Sequence, residues 1–219
     1  MSTQITPAAR MPRDQRRAQL INVALDVFAH HGFAQTTMDE IARQAAISKP
    51  VLYQHFENKR GLYFTLLDHQ FQVLRNVITT RMQSIDPTAA NADEQTAYQA
   101  VYGVFEFTSE PGGHYRLMLD SSMDNPEERQ HRMDEFLNEL VEFISPYVLE
   151  NSSLDPATSR FITSGIASTV LYLACRWAEE YRDDVAAREQ IPFDAAVETT
   201  YQFVAHGALG FDLSNNPSA

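Results

Sequence analysis

Between Thr36 and Phe56 the chain carries two helix-start signals so close together that they leave room for one arrangement, two short helices joined by a tight turn. Thr37 stands three residues before Glu40 and just ahead of Ile41, the pattern of a capping box, in which side chains satisfy the N–H groups that open a helix. Ser48 begins the second helix as N-cap, with Lys49 and Pro50 in a first turn where a missing N–H does no harm. Only Ala45, Ala46 and Ile47 lie between the two. That is helix-turn-helix spacing, whose second helix can enter the major groove of DNA.

Charge at first argues against DNA, because the 219-residue chain has a net charge of −12. Its distribution reverses that reading. Up to Thr65, eight Lys and Arg residues stand against five Asp and Glu, so the remainder of the chain carries −15. Phosphate binding follows local charge, and a basic head on an acidic body suits it. The single cysteine, Cys175, excludes an internal disulfide and a cysteine-rich zinc site. No run approaches the roughly 20 apolar residues of a membrane span, and residues 1–10 lack the apolar core of a secretory signal, so a cytoplasmic protein is expected.

Helical periodicity holds along the rest of the chain, and no stretch alternates with period two. A first helix is expected from Arg13, with Leu20, Ala24, Val27 and Phe28 on one face and Gly32 closing it. Asn58 should cap a long fourth helix reaching about Gln83. Further helices are expected over Ala92–Thr108, from His114 to about Ser121, and from an Asn125-Pro126 start. Pro146 should end or kink that last one. Asp155-Pro156 opens another to about Tyr181, and Pro192 a final one to about Leu209. The expected fold is all-α: an N-terminal three-helix helix-turn-helix domain (12–57) after a flexible arm (1–11), joined by a long helix to a C-terminal helical ligand-binding and dimerisation bundle (58–213), with a flexible tail (214–219).

On the recognition helix, Ser48, Lys49, Pro50, Tyr53, Gln54 and His55 are exposed by the same periodicity that buries Val51 or Leu52 and Phe56. Lys49 can donate to guanine and Gln54 can pair with adenine, which makes them the candidate base readers. Thr36 and Thr37, at the start of the preceding helix, complete the DNA-facing set, Thr37 through its backbone N–H. Lys59 lies in the first turn of the fourth helix, where a cation opposes the helix dipole; a phosphate contact or a solvated lysine both account for it. Arg13, Arg16 and Arg17 either touch flanking backbone or minor groove, or solubilise the first helix.

Taken together, Phe28, Gly32-Phe33, Thr36-Thr37, Ile41-Ala42, Ala45, Ser48, Leu52-Tyr53, His55-Phe56, Lys59 and Leu62 resemble the N-terminal domain of TetR-family transcriptional regulators. Where such regulators have glycine in the turn, this chain has Ala46, which implies a costlier left-handed turn or a different one. The resemblance implies a homodimer that represses nearby genes from a pseudo-palindromic operator and is released by a small, largely apolar effector. It also implies that Tyr53 and His55 hold phosphates. Tyr102, Phe105, His114, Tyr115, Met118, Phe136, Phe143, Arg176 and Trp177 are the candidates for an effector pocket; ordinary core packing is the alternative for each. Gly165, Ser168, Leu171, Tyr172, Tyr201, Val204 and Ala208 are the candidates for a dimer interface.

No glycine-rich phosphate loop, zinc-protease motif or nucleophile elbow is present, and His30 and His31 point about 100° apart on a helix. No cofactor or metal is expected, and Glu179-Glu180 and Asp183-Asp184 read as solvated surface. The rival readings are an activator, a regulator gated by a protein, and a helical binding protein or enzyme with a vestigial DNA head.

Overall fold

The computed structural model describes residues 12–120, 122, 126–150, 154–181 and 184–206. Ten helices make up these residues, with no strand among them: α1 (Arg13–Gln35), α2 (Met38–Gln44), α3 (Lys49–Tyr53), α4 (Lys59–Gln83), α5 (Ala92–Ser109), α6 (Arg116–Leu119), α7 (Pro126–Glu150), α8 (Pro156–Glu180), α9 (Val185–Gln190) and α10 (Phe193–His206). The fold is all-α, with a small N-terminal head carried on a helical body.

Local side-chain caps account for several of the helix starts. Thr37 accepts from the Glu40 N–H, Asn58 from the Gly61 N–H, and Asp155 from the Ala157 and Thr158 N–H groups. The N-cap that Asn125 was expected to give α7 lies outside the described residues. So do the arm 1–11, Asp183, and residues 207–219, which include Ala208, Leu209 and the tail.

The regular helix of α1 breaks at Gly32, as expected, and a separate turn follows to Gln35. The glycine takes φ 70° and ψ 172°, a conformation an L side chain resists, and the helical turn resumes beyond it. α7 runs through Pro146 to Glu150 rather than ending there. Only one ladder N–H is missing at a proline. α9 was not expected; Asp184, read as solvated surface, accepts from the Ala186 N–H at 2.9 Å at its start.

α4 belongs to both halves of the molecule. Its Tyr63 packs edge-on against Phe28 and Phe33 of α1, with centroids 5.4 and 5.2 Å away. Further along, Phe71 stacks on Phe136 of α7 at 4.3 Å. α5 lies so close to α4 that a Cβ at Gly103 would stand 3.3 Å from the Ile78 Cα. Each large side chain buried this way contributes roughly 1.5–3 kcal/mol. One hydrophobic core therefore runs across residues 57 and 58, where a domain boundary is expected from the sequence.

Candidate nucleic-acid interface and apolar cavity

The head presents α3 on its surface. Leu52 and Phe56 are buried under it, while Ser48, Lys49, Pro50, Tyr53 and Gln54 are exposed. Ser48 makes no side-chain cap bond, so its hydroxyl is not committed to the helix start. The turn before α3 is left-handed: Ala46 has φ 52°. A methyl group there strains the backbone by about 1–2 kcal/mol, and the buried Ile41, Ala45 and Leu52 around it hold the motif together regardless.

Lys49 pairs with Asp39 of α2 at 2.6 Å, and that carboxylate raises its pKa. Glu40, bonded to Arg43 and Gln44, has its pKa lowered to about 2. A recess between the start of α1 and α3 is lined by Arg13, Arg16, Ser48, Gln54 and His55. His55, two residues past the end of α3, is half-buried there rather than exposed. Its Nδ1 is buried without a hydrogen-bond partner. Burial, and then Arg13, Arg17 and Arg16, push its pKa down. An anion placed in this recess would meet two arginines and the polar side chains of Ser48, Gln54 and His55.

Two residues expected on the DNA face have other work. Thr36 is 1% exposed, and its Oγ1 donates to the Gly32 carbonyl at 2.8 Å, so its side chain belongs to the interior. Lys59 Nζ donates to the Phe33 and Thr36 carbonyls at 2.8 and 3.1 Å and lies 4.3 Å above the Phe33 ring. The dipole argument found the lysine but not its partners, which are supplied by the end of α1.

The aromatic residues expected around an effector are mostly core. Phe105, Trp177 and Phe193 form one edge-packed cluster, and Trp177 Nε1 donates to the Ile191 carbonyl. Tyr102 lies under Arg81, itself paired with Glu106. Tyr115 and Met118 are buried at α6, with the Tyr115 hydroxyl donating to Glu179 at 2.7 Å. Phe136 stacks on Phe71, and Phe143 packs against the core. His114 pairs with Asp26 at 2.8 Å, and Arg176 with Glu180. Glu179 is a bonded residue as well, also accepting from Arg116 Nε, and not merely solvated surface.

An apolar cavity lies instead among α4, α5, α7, α8 and α10, with a volume of about 590 Å³. Its walls are aliphatic and small: Ile78, Ala97, Ala100, Val101, Val104, Leu140, Ile166 and Val170 among them. None of the nine expected effector residues lines it. Leu171, Tyr201 and Val204, expected at a dimer interface, do. The polar lining residues are Asn91, Asp93, Glu94 and Thr96 around the start of α5, with Tyr201; no Lys, Arg or His is among them.

One face of α8 has no covering helix among the described residues. Phe161 is 75% exposed and Tyr172 61%, with Gly165 and Ser168 between them at helical spacing. A Cβ at Gly165 would meet nothing within 4 Å, and Phe203 of α10 is exposed as well. Of the residues expected at an interface, Gly165, Ser168 and Tyr172 thus face outward, Leu171, Tyr201 and Val204 line the cavity, and Ala208 lies outside the described residues.

Comparison with known proteins agrees with this architecture. The sequence model of the bacterial regulatory proteins of the tetR family matches residues 20–66. Over 207 residues the chain is 30% identical to the HTH-type transcriptional activator FasR of Mycolicibacterium smegmatis, spanning 94% of this chain and 89% of that protein. Among solved structures, a TetR-like transcriptional regulator from Rhodococcus sp. RHA1 superimposes with a TM-score of 0.70 at 22% identity, over 92% of this chain and all of that one (100%). The transcriptional regulator FadR of Bacillus subtilis, solved in complex with stearoyl-CoA, superimposes with a TM-score of 0.66 at 18% identity, over 87% and 98% of the two chains.

Proposed function

The chain belongs to the TetR family of DNA-binding transcription regulators, and from that premise we propose that an acyl-chain effector seated in its apolar cavity controls a dimer's grip on a pseudo-palindromic operator. The cavity carries this reading. Its walls are aliphatic, and no basic side chain lines it, so an alkyl tail fits inside while an anionic headgroup must stay outside. The stearoyl-CoA bound by the similarly folded Bacillus subtilis regulator has that division of character.

In the head, Lys49 and Gln54 read base edges, while Ser48, Tyr53, His55 and the Arg13–Arg16 recess hold phosphates. Lys49 exchanges Asp39 for DNA on binding. A palindromic site needs two heads, and the outward α8 face of Phe161, Gly165, Ser168 and Tyr172 supplies an apolar, closely approachable surface for a second copy. Tyr172→Glu is expected to yield monomers by analytical ultracentrifugation.

Repression relieved by the effector is the usual consequence of such a design. Similarity to the activator FasR across 94% of the chain favours a second reading, activation from the same operator. A promoter fusion to a reporter, with the regulator deleted, separates them: expression rises on deletion of a repressor and falls on deletion of an activator. The effector is tested by titrating operator-bound protein with stearoyl-CoA. A dose-dependent change in operator affinity supports the proposal, and unchanged affinity at saturating stearoyl-CoA with no protection against thermal unfolding refutes it.

A further inference from the structure

The Gly32 break leaves two backbone donors at the restart of α1, the N–H groups of Phe33 and Ala34, which the helix cannot satisfy itself. Their partners come from far along the chain. Asp120 Oδ2 accepts from Phe33 N at 2.6 Å, and Ser122 Oγ accepts from Ala34 N at 3.1 Å. Asp120 Oδ1 accepts from Ser122 N at 2.8 Å, which fixes the two acceptors relative to each other. The fit is close, since a Cβ at Gly32 would stand 3.5 Å from Asp120 Oδ2. The body thus caps a helical turn of the head.

That turn leads straight into Thr36 and Thr37, and Thr37 caps α2. Its carbonyl side is held by Lys59 of α4, so both ends of the link between α1 and α2 are fixed. On the body side, the segment carrying Asp120 is tied to three helices. Tyr63 of α4 donates to the Leu117 carbonyl at 2.7 Å, and Arg129 of α7 to the Met118 carbonyl at 2.9 Å. Tyr115 and Arg116 both bond Glu179 of α8, the helix that contributes Ile166, Ala167 and Val170 to the cavity wall.

From this joint we infer that Asp120, with Ser122, is a positioning residue for DNA recognition: it sets the orientation of α2 and α3 on the body through the Phe33 and Ala34 amides, and passes cavity occupancy to them. The second half of this statement rests on the effector reading above. The first half does not. A displacement of α8 moves Glu179, hence α6, hence the two acceptors on which the head's last turn of α1 depends. The joint is polar and directional, so a small shift weakens the capping bonds and loosens the head instead of merely dragging it.

The test uses the full-length chain carrying Asp120→Ala together with Ser122→Ala. Operators whose half-site spacing is altered in single base-pair steps are titrated by fluorescence anisotropy, with and without stearoyl-CoA. In the wild type, affinity depends steeply on spacing. In the double variant, discrimination between spacings falls roughly five- to tenfold, the effector response shrinks by a similar factor, and binding to non-specific DNA is retained. Asp120→Asn, which keeps an acceptor oxygen, restores most of the discrimination. Unchanged spacing discrimination in the double variant overturns the inference, and so does a loss of non-specific binding, which would mark an ordinary folding defect. A wild type indifferent to stearoyl-CoA sinks the effector reading alone, because the spacing series still reports on the joint.

Discussion

Replacing Lys59 with methionine separates the two roles open to this side chain. Methionine keeps the apolar stem over the Phe33 ring and removes only the ammonium that bonds the Phe33 and Thr36 carbonyls. Hydrogen bonds from a charged donor contribute about 1.5–3 kcal/mol when buried. Here the side chain is half-exposed and the freed carbonyls regain some water, so we take about 2 kcal/mol for the pair. For a chain of this size that corresponds to roughly 4–8 °C in Tm, read by calorimetry. Operator affinity is then measured across a salt series. A lysine on a phosphate contributes about 0.9 to the slope of log K against log salt, whereas an internal clasp contributes almost none. The expected result is a lowered Tm with an unchanged salt slope. A reduced slope at unchanged Tm would refute the clasp and return Lys59 to the DNA backbone.

Ala46→Gly relieves the left-handed turn at φ 52° but frees the unfolded chain, for a net gain of roughly 0.5–1 kcal/mol in denaturant melts; a loss of stability would mean the turn is not strained. His55 gives operator binding a pH dependence. Its pKa in the free protein is depressed by burial and by Arg13, Arg17 and Arg16, and a phosphate beside it would favour the imidazolium. Proton uptake on binding follows, so affinity should rise as pH falls from about 8 to about 6, and the trend should vanish in His55→Gln. Fold stability has the opposite sign: a histidine pKa depressed in the folded state stabilises the protein above the unfolded value of about 6.5, and this contribution is lost as pH falls through and below it. Val170→Trp fills the cavity, and should abolish any effect of stearoyl-CoA on operator affinity while leaving non-specific DNA binding intact; a persistent response would place the effector elsewhere.

The head was readable because its signals are local. Thr37 and Asn58 cap within three residues of themselves, and the Leu52–Phe56 periodicity sets the exposed face of α3 without reference to anything distant. The partners of Lys59 and Thr36 were not readable for the opposite reason: the Phe33 and Gly32 carbonyls are freed by a break in α1 whose geometry no spacing reveals. The cavity was hidden by the assumption that aromatic residues line ligand sites. Phe105, Trp177 and Phe193 fill space by packing on one another, whereas room is left where α5 and α8 present alanine and valine. A void made by small side chains has no signature in composition. Pro146 shows a related limit, since α7 continues past it to Glu150 despite its local helix-breaking preference.

The central claim is that α3, on a dimeric head, reads an operator. The most direct measurement is an anisotropy titration, over a salt series, of DNA from upstream of the protein's own gene with wild type, Lys49→Ala and Tyr53→Ala. We expect tight, sequence-selective wild-type binding that both variants weaken: Lys49→Ala by relaxing selectivity at one base position, with an affinity loss of about 1–3 kcal/mol, and Tyr53→Ala evenly across sequences. Wild-type selectivity and affinity retained in both variants would contradict the account.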